Sequence, residues 1–302
     1  MVRYRPGTPA DIRLAFDIFV PTIDDLGRRT GGTANNTAGD IDAAWVTRRP
    51  LFEHLAATAD RWWFAEEEAT GRAIGYARSI VRDGVRELTE FFVLPEAQAG
   101  GIGRELLERA FPDDGAVHRS IVATIDPRAI ARYLRTGLPS PVGMAFVEGP
   151  PHAIELPTDL VRSAIDPDAV PVEELAAIDR QVVGFARDAD HRWLARERPS
   201  WLYRREGEAV GYGYHPIRPA WGGPYAAVDP ADLPVLLADG ETAAAAAGHA
   251  TVTFDLALTA RAAWQHVLGR GLRIDPFVMF LFTDGPTDGL EGYCLTSPPF
   301  FL

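Results

Sequence analysis

From Trp62 onward the chain alternates two hydrophobic rhythms. WWFAEE (62–67), AIGYARSIV (73–81), LTEFFVL (88–94) and SIVATI (120–125) are apolar in alternation or throughout, and each predicts a β-strand. The segment after Gly101 and RAIARYLRTGL (128–138) instead repeat apolar positions every three or four residues and predict helices, and VGMAFVEG (142–149) predicts a further strand. Hairpins first and a strand–helix–strand unit later give an α/β fold of the α+β type, a twisted mixed sheet flanked by helices.

The same order returns in the second half. AIGYA (73–77) recurs as AVGYG (209–213), VLP (93–95) as VDP (228–230), and RYLRTGL (132–138) as QHVLGRGL (265–272). The offsets are 211 − 75 = 136, 228 − 93 = 135 and 271 − 137 = 134, a near-constant spacing that argues for duplication. The paired prolines of EGPPHAIELP (148–157) break any regular element, so residues 1–150 and 151–302 are expected to form two tandem domains of similar fold. TGGTANNTAG (30–39) reads as a surface loop between two helical patterns.

Composition narrows the chemistry. With 302 residues, 47% hydrophobic and 24% charged, the chain has the make-up of a globular protein. One cysteine, Cys294, excludes an internal disulfide framework, and beside Tyr293 in a turn-rich tail it reads as structural. The N-terminal MVRYRPGTPADIRLAF has no apolar core of signal-peptide length, and FVMFLF (277–282) is too short to span a bilayer, so a cytoplasmic protein without a membrane partner is expected. The net charge is −12, with 18 arginines against 21 acids up to residue 150 and 12 against 21 after it. That balance disfavours nucleic acid and suits a cationic amine. No lysine is present, which excludes a Walker-type loop and any Schiff-base chemistry. The seven histidines lack ligand spacing, so no metal is expected, and there is no G-x-S-x-G elbow.

The informative stretch is VLPEAQAGGIGRELLERAF (93–111). Gly100, Gly101 and Gly103 stand where Ser, Asp or Asn would cap a helix better, and the loss of backbone order makes sense if a ligand approaches the bare amides. Unpaired amides backed by the helix dipole suit an anion, and a diphosphate fits without lysine. A dinucleotide fingerprint fails on spacing, because its third glycine falls on Leu106.

V-x-P followed by Q-x-x-G-x-G and an amphipathic helix resembles the acetyl-CoA signature of the GNAT superfamily of N-acetyltransferases. The resemblance has motif-level support over about residues 1–148 and is architectural over about 155–283. It implies a splayed strand whose Phe91, Phe92 and Val93 meet the pantetheine arm, and a diphosphate cradle of Gln98, Ala99, Gly100, Gly101, Ile102 and Gly103 with Arg104 beside it. It also implies that Tyr133, four residues before Gly137, is the acid that protonates the departing thiolate, a role its unperturbed pKa of about 10 allows. Glu90 is the candidate base. Glu87, His118, water and the terminal carboxylate of Leu302 are weaker substitutes. Many family members carry Asn seven residues before the tyrosine, where this chain has Asp126.

Through an offset of 135 the signature maps onto Leu233, Leu236 and Ala238 with Pro234 between them, and Tyr133 maps onto Val267 through 134. The second half therefore resembles a GNAT fold without its cofactor site, expected to cover apolar surface, shape the acceptor pocket or mediate homodimerisation. The function expected is acetyl transfer from acetyl-CoA to a primary amine of a small molecule or peptide. A non-catalytic acyl-CoA binding or sensing protein is the rival, and a two-domain adaptor without ligand is a third reading.

Overall fold

Asp83 and Gly84, with φ of 45° and 84°, turn the chain tightly between the two long strands at the centre of the first half. The computed structural model in which they are seen describes residues 1–30, 41–98, 100–139, 142–218, 221–296, 299 and 301–302. The glycine- and asparagine-rich loop from 31 to 39, and Ala99 of the expected cradle, lie outside the described residues.

The chain divides into two units. The first comprises Met1–Ser140 and Phe282–Asp284. Its elements are β1 (Val2–Pro6), α1 (Ile12–Thr30), α2 (Ile41–Ala57), β2 (Ala59–Glu67), β3 (Ala73–Arg82), β4 (Val85–Val93), α3 (Ile102–Ala110), β5 (His118–Thr124) and α4 (Pro127–Leu134). Strands β1 to β4 form an antiparallel meander, and β5 joins β4 in parallel. Strand alternation divides the helices between the faces. Tyr76 and Phe92 pair across β3 and β4 on one face, where the Phe19 ring of α1 lies 5.2 Å from Phe92. Gly75 and Val93 pair on the other face, where the bare Cα of Gly75 lets Leu106 of α3 settle close. Helix α3 buries Ile102, Gly103, Leu106, Leu107 and Ala110 at helical spacing, and full burial of each leucine contributes roughly 1.5–3 kcal/mol. Residues 282–284 join this unit through Asp284, which accepts the Arg119 N–H at 2.7 Å.

The second unit comprises Pro141–Leu281 and Gly285–Leu302. Its elements are β6 (Val142–Gly149), β7 (Val161–Ala164), α5 (Val172–Val182), α6 (Asp188–Glu197), β8 (Ser200–Arg205), β9 (Glu208–Tyr214), β10 (Tyr225–Ala227), α7 (Leu233–Ala246), β11 (Val252–Ala257), α8 (Arg261–Gly269), β12 (Arg273–Thr283) and β13 (Tyr293–Cys294). Strand β6, which the sequence places at the end of the first domain, is hydrogen-bonded to β11 and β12 within the second unit, so the units part at 140/141. The apolar core here runs through Leu233, Leu236, Leu237, Phe254, Leu256 and Val267.

The first unit is a mixed sheet and the second, among the described residues, pairs its strands antiparallel, each with flanking helices, and the repeat read from the sequence is a repeat of elements. β3–β4–α3–β5–α4 in the first unit is matched in order by β9–β10–α7–β11–α8 in the second. Gly211 meets Leu236 of α7 as Gly75 meets Leu106 of α3, each leucine carbon 3.2 Å from where a Cβ would stand. Gly137 and Gly271 close α4 and α8 with φ of 86° and 88°.

Candidate active site

Strands β4 and β5 run side by side only from Val85/His118 to Leu88/Ile121. Beyond that point β4 continues to Val93 and β5 to Thr124, and among the described residues no further pairing joins them. A bulge marks where they part. Arg78 pairs with Glu90 but Ser79 with Leu88, so Thr89 is the extra residue, and its hydroxyl donates to the Arg78 carbonyl at 3.1 Å. The Leu94 N–H donates to Ile74 of β3 at 2.9 Å. With a period of two, the amides of Phe91 and Val93 therefore face away from β3, into the opening. The side chains divide between the faces, with Phe92 toward α1 and Phe91 toward α3 and α4.

The glycine turn stands beside that opening. Gly101 is the N-cap of α3, in the left-handed region at φ 80°, and no side chain caps the helix. A Cβ there would meet nothing within 4 Å, so the position is chosen for backbone shape, a conformation that costs other residues about 1–2 kcal/mol. Arg104 and Glu105 are the first N–H groups bonded back into the cap, at 3.0 and 3.3 Å to the Gly101 carbonyl. The amides that precede them face outward, as helix starts require. Gln98 does not fill the space. Its side-chain amide donates to the Val93 carbonyl at 3.0 Å and ties the end of β4 to the turn. Arg104 is exposed and loosely placed between Glu105 and Glu108, at 3.6 and 3.7 Å.

Tyr133 lies on α4 with its ring between Phe91 and Phe282, at centroid distances of 6.1 and 5.8 Å. It is buried, and among the described residues its hydroxyl has no hydrogen-bond partner. Burial pushes its pKa up, with Arg132 opposing and Asp126 adding to the shift, so the phenol keeps its proton. Asp126 is the N-cap of α4, accepting from the Arg128 N–H at 2.9 Å and from the Arg128 and Arg29 guanidiniums. Burial opposes its charge, but the two arginines hold its pKa below the usual carboxylate range.

Glu90 is placed differently from a free base. It is buried and forms an ion pair with the equally buried Arg78, and one of its oxygens accepts the Tyr76 hydroxyl at 2.7 Å. Arg78 in turn lies 4.6 Å over the Trp62 ring. Both Glu90 oxygens are thus occupied on the α1 face of the strand, whereas Tyr133 lies on the α4 side. Glu87 pairs with Ser120 in the closed part of the sheet, and His118 stands at the far end of β5, 3.6 Å from Asp284. Neither borders the opening. Leu302 is buried in the second unit, its carbonyl oxygen bonded to Arg187. Cys294 is buried too, and burial pushes its thiol pKa up, away from nucleophilic chemistry. Among the described residues no group of His, Cys, Asp and Glu could hold a metal ion, and no helix is long and apolar enough to cross a membrane.

A model of the acetyltransferase (GNAT) domain matches residues 58–137, from the start of β2 to the glycine that closes α4. Over that stretch the chain is similar to the GNAT acetyltransferase domain. Solved GNAT structures cover both units. An acetyltransferase candidate from Pyrococcus horikoshii is 15% identical, spans 97% of this chain and 92% of its own, and superimposes with a TM-score of 0.71. A GCN5-related N-acetyltransferase from Sphaerobacter thermophilus is 16% identical over 95% of this chain and 98% of its own, with a TM-score of 0.59. A tandem GNAT protein from the clavulanic acid biosynthesis pathway gives 0.58 at 12% identity, over 95% of this chain and all of its own. No curated protein sequence matches this chain significantly.

Within this GNAT fold the second unit has closed its own opening by two devices. In the first unit a 3₁₀ turn at Pro95–Ala97 is followed by Gln98–Gly101 and then α3, whereas in the second the equivalent turn, Pro230–Asp232, runs straight into α7. The turns are offset by 230 − 95 = 135 and the helices by 233 − 102 = 131, so the cradle's four residues are missing rather than replaced. The position-by-position mapping of Gln98, Gly101 and Gly103 onto Leu233, Leu236 and Ala238 is corrected accordingly. The second device is β13. It lies between β10 and β11, pairing Tyr225 with Cys294 and Leu256 with Cys294, and fills the place that lies open between β4 and β5. Sequence reasoning also passed over Arg78 and Tyr76, which occupy Glu90. A lone arginine in the apolar run AIGYARSIV was the available signal.

Proposed function

We propose that this chain is an acetyl-CoA-dependent N-acetyltransferase acting on a primary amine of a small molecule or peptide by direct attack. The observation that carries the reading is the opening between β4 and β5 beyond Leu88 and Ile121, which ends at the uncapped, glycine-lined start of α3 with Tyr133 nearby. The residues fit the cosubstrate. Outward amides of Phe91 and Val93 suit the pantetheine arm, and the amides from Gly100 to Gly103, at the positive end of α3, suit the diphosphate.

Acetyl-CoA supplies the activated thioester carbon. The amine nitrogen bonds to that carbon, the carbon–sulfur bond breaks, the Tyr133 hydroxyl gives its proton to the leaving sulfur, and the proton that the acylated nitrogen sheds passes through water to restore the phenol. An ammonium must first lose a proton, and about three pK units correspond to roughly 4 kcal/mol. Water takes this proton in our reading, because both Glu90 oxygens are already engaged; Glu90 holds β4 in place instead. The net charge of −12 favours a cationic acceptor.

Incubation with acetyl-CoA and an amine panel should release free thiol, and silence across aminoglycosides, polyamines, amino acids and peptides would overturn the enzymatic reading. The occupied Glu90 is the one feature that favours a second reading, an acyl-CoA sensor without turnover, and that same silence combined with coenzyme binding would establish it. Calorimetry is expected to find one coenzyme A per chain, since β13 fills the second slot; two per chain would show that it can open.

A further inference from the structure

Arg132 precedes Tyr133 on α4, and its guanidinium lies against the first turn of α3. A Cβ added to Gly103 would collide with Arg132 Nη1 and stand 3.1 Å from its Cζ and 3.0 Å from the Phe91 ring. The missing side chain at Gly103 is therefore what admits the cation. Arg132 Cζ is 5.9 Å from the centroid of the Phe91 ring. Among the described residues no carboxylate lies within ion-pair distance of it, whereas Arg128 and Arg29 share Asp126 and Arg104 has Glu105 and Glu108. A guanidinium beside the positive end of a helix is repelled by it, and the arrangement becomes favourable when a doubly charged anion stands between the two. Phe91, on the part of β4 beyond its pairing with β5, is the ring beside both Gly103 and Arg132.

We infer that Arg132 is a positioning residue for the coenzyme's diphosphate, closing on its oxygens from the α4 side while the α3 amides hold them from the other. This rests on the acetyl-CoA reading above. In a chain without lysine a guanidinium is the available cation, and its planar fork donates to two phosphate oxygens at once. Because Tyr133 is the next residue on the same short helix, engagement of Arg132 also fixes where the phenol stands relative to sulfur.

The test is calorimetry with coenzyme A and with pantetheine, which lacks the diphosphate, on wild type, Arg132→Gln and Arg132→Lys. For Arg132→Gln the coenzyme A Kd should rise at least tenfold and depend less steeply on salt, Arg132→Lys should recover part of the loss, and pantetheine affinity should not change. Equal coenzyme A affinity in Arg132→Gln, or tighter binding because the guanidinium merely blocks the slot, would overturn the inference and leave the acetyl-CoA reading standing. A parallel loss for pantetheine would assign Arg132 to the arm and overturn it too. Failure of wild type to bind coenzyme A would remove both.

Discussion

Replacing Tyr133 with phenylalanine is expected to lower kcat by about 10²-fold or more, within the range of general acid catalysis, while the Kd for acetyl-CoA stays within about twofold. The substitution removes only the hydroxyl, and that hydroxyl makes no hydrogen bond among the described residues, so the ring contacts with Phe91 and Phe282 and the packing of α4 should survive. Stability should change little for the same reason. The phenol's pKa is raised by burial, so wild type should show no loss of activity at moderately alkaline pH from ionisation of this group. The measurement is kcat against acetyl-CoA Kd for the two proteins. A kcat within twofold of wild type would leave proton return to water and remove Tyr133 from the chemistry. The second unit offers a comparison within the chain, because the equivalent helix α8 carries Val267 in the apolar core where α4 carries Tyr133, and that unit has lost its cradle as well.

The elements of this fold were legible because they are local. Period-two and period-three-to-four patterns place β2 to β5, α3 and α4, and the recurrence of AIGYA as AVGYG exposes the duplication. Partners are not local. VGMAFVEG announces a buried strand, but an apolar pattern carries no record of which neighbour supplies its hydrogen bonds, and β6 finds β11 and β12. A mean offset of about 135 likewise hides a four-residue loss, since α7 is 14 residues long against 9 for α3 and so brings β11 and α8 back to an offset of 134. The two-residue β13 is too short to show any period, yet it decides that one unit has an opening and the other does not.

The environment of Glu90 was hidden by a single residue. Counted outward from the Asp83–Gly84 turn, where Arg82 pairs with Val85, a regular hairpin would set Arg78 opposite Thr89 and leave Glu90 facing elsewhere. The bulge at Thr89 shifts the register by one, so that Glu90 stands across from Arg78 on the buried face. The device that splays the strand for a cosubstrate thus also brings the carboxylate under the guanidinium.

That pairing makes Glu90→Gln the substitution with the largest expected effect on stability. The amide keeps the shape and can still accept from Tyr76, but Arg78, fully buried, loses its counter-charge. Removing one partner of such a pair typically costs about 3–5 kcal/mol, because a desolvated charge is left behind. For a unit of this size each kcal/mol shifts the melting temperature by roughly 2–4 °C, so a fall of about 10 °C is expected by differential scanning calorimetry. Were Glu90 instead an unencumbered base, the melting temperature would hold and kcat would fall. The double substitution Arg78→Met with Glu90→Leu separates the roles further, since replacing both charges with apolar groups of similar volume should restore most of the lost stability. A stable double variant that retains turnover would confine Glu90 to holding β4 open beside the bulge. A stable double variant without turnover, with acetyl-CoA still bound, would return the proton-accepting role to Glu90 and require Arg78 to release it when the amine arrives.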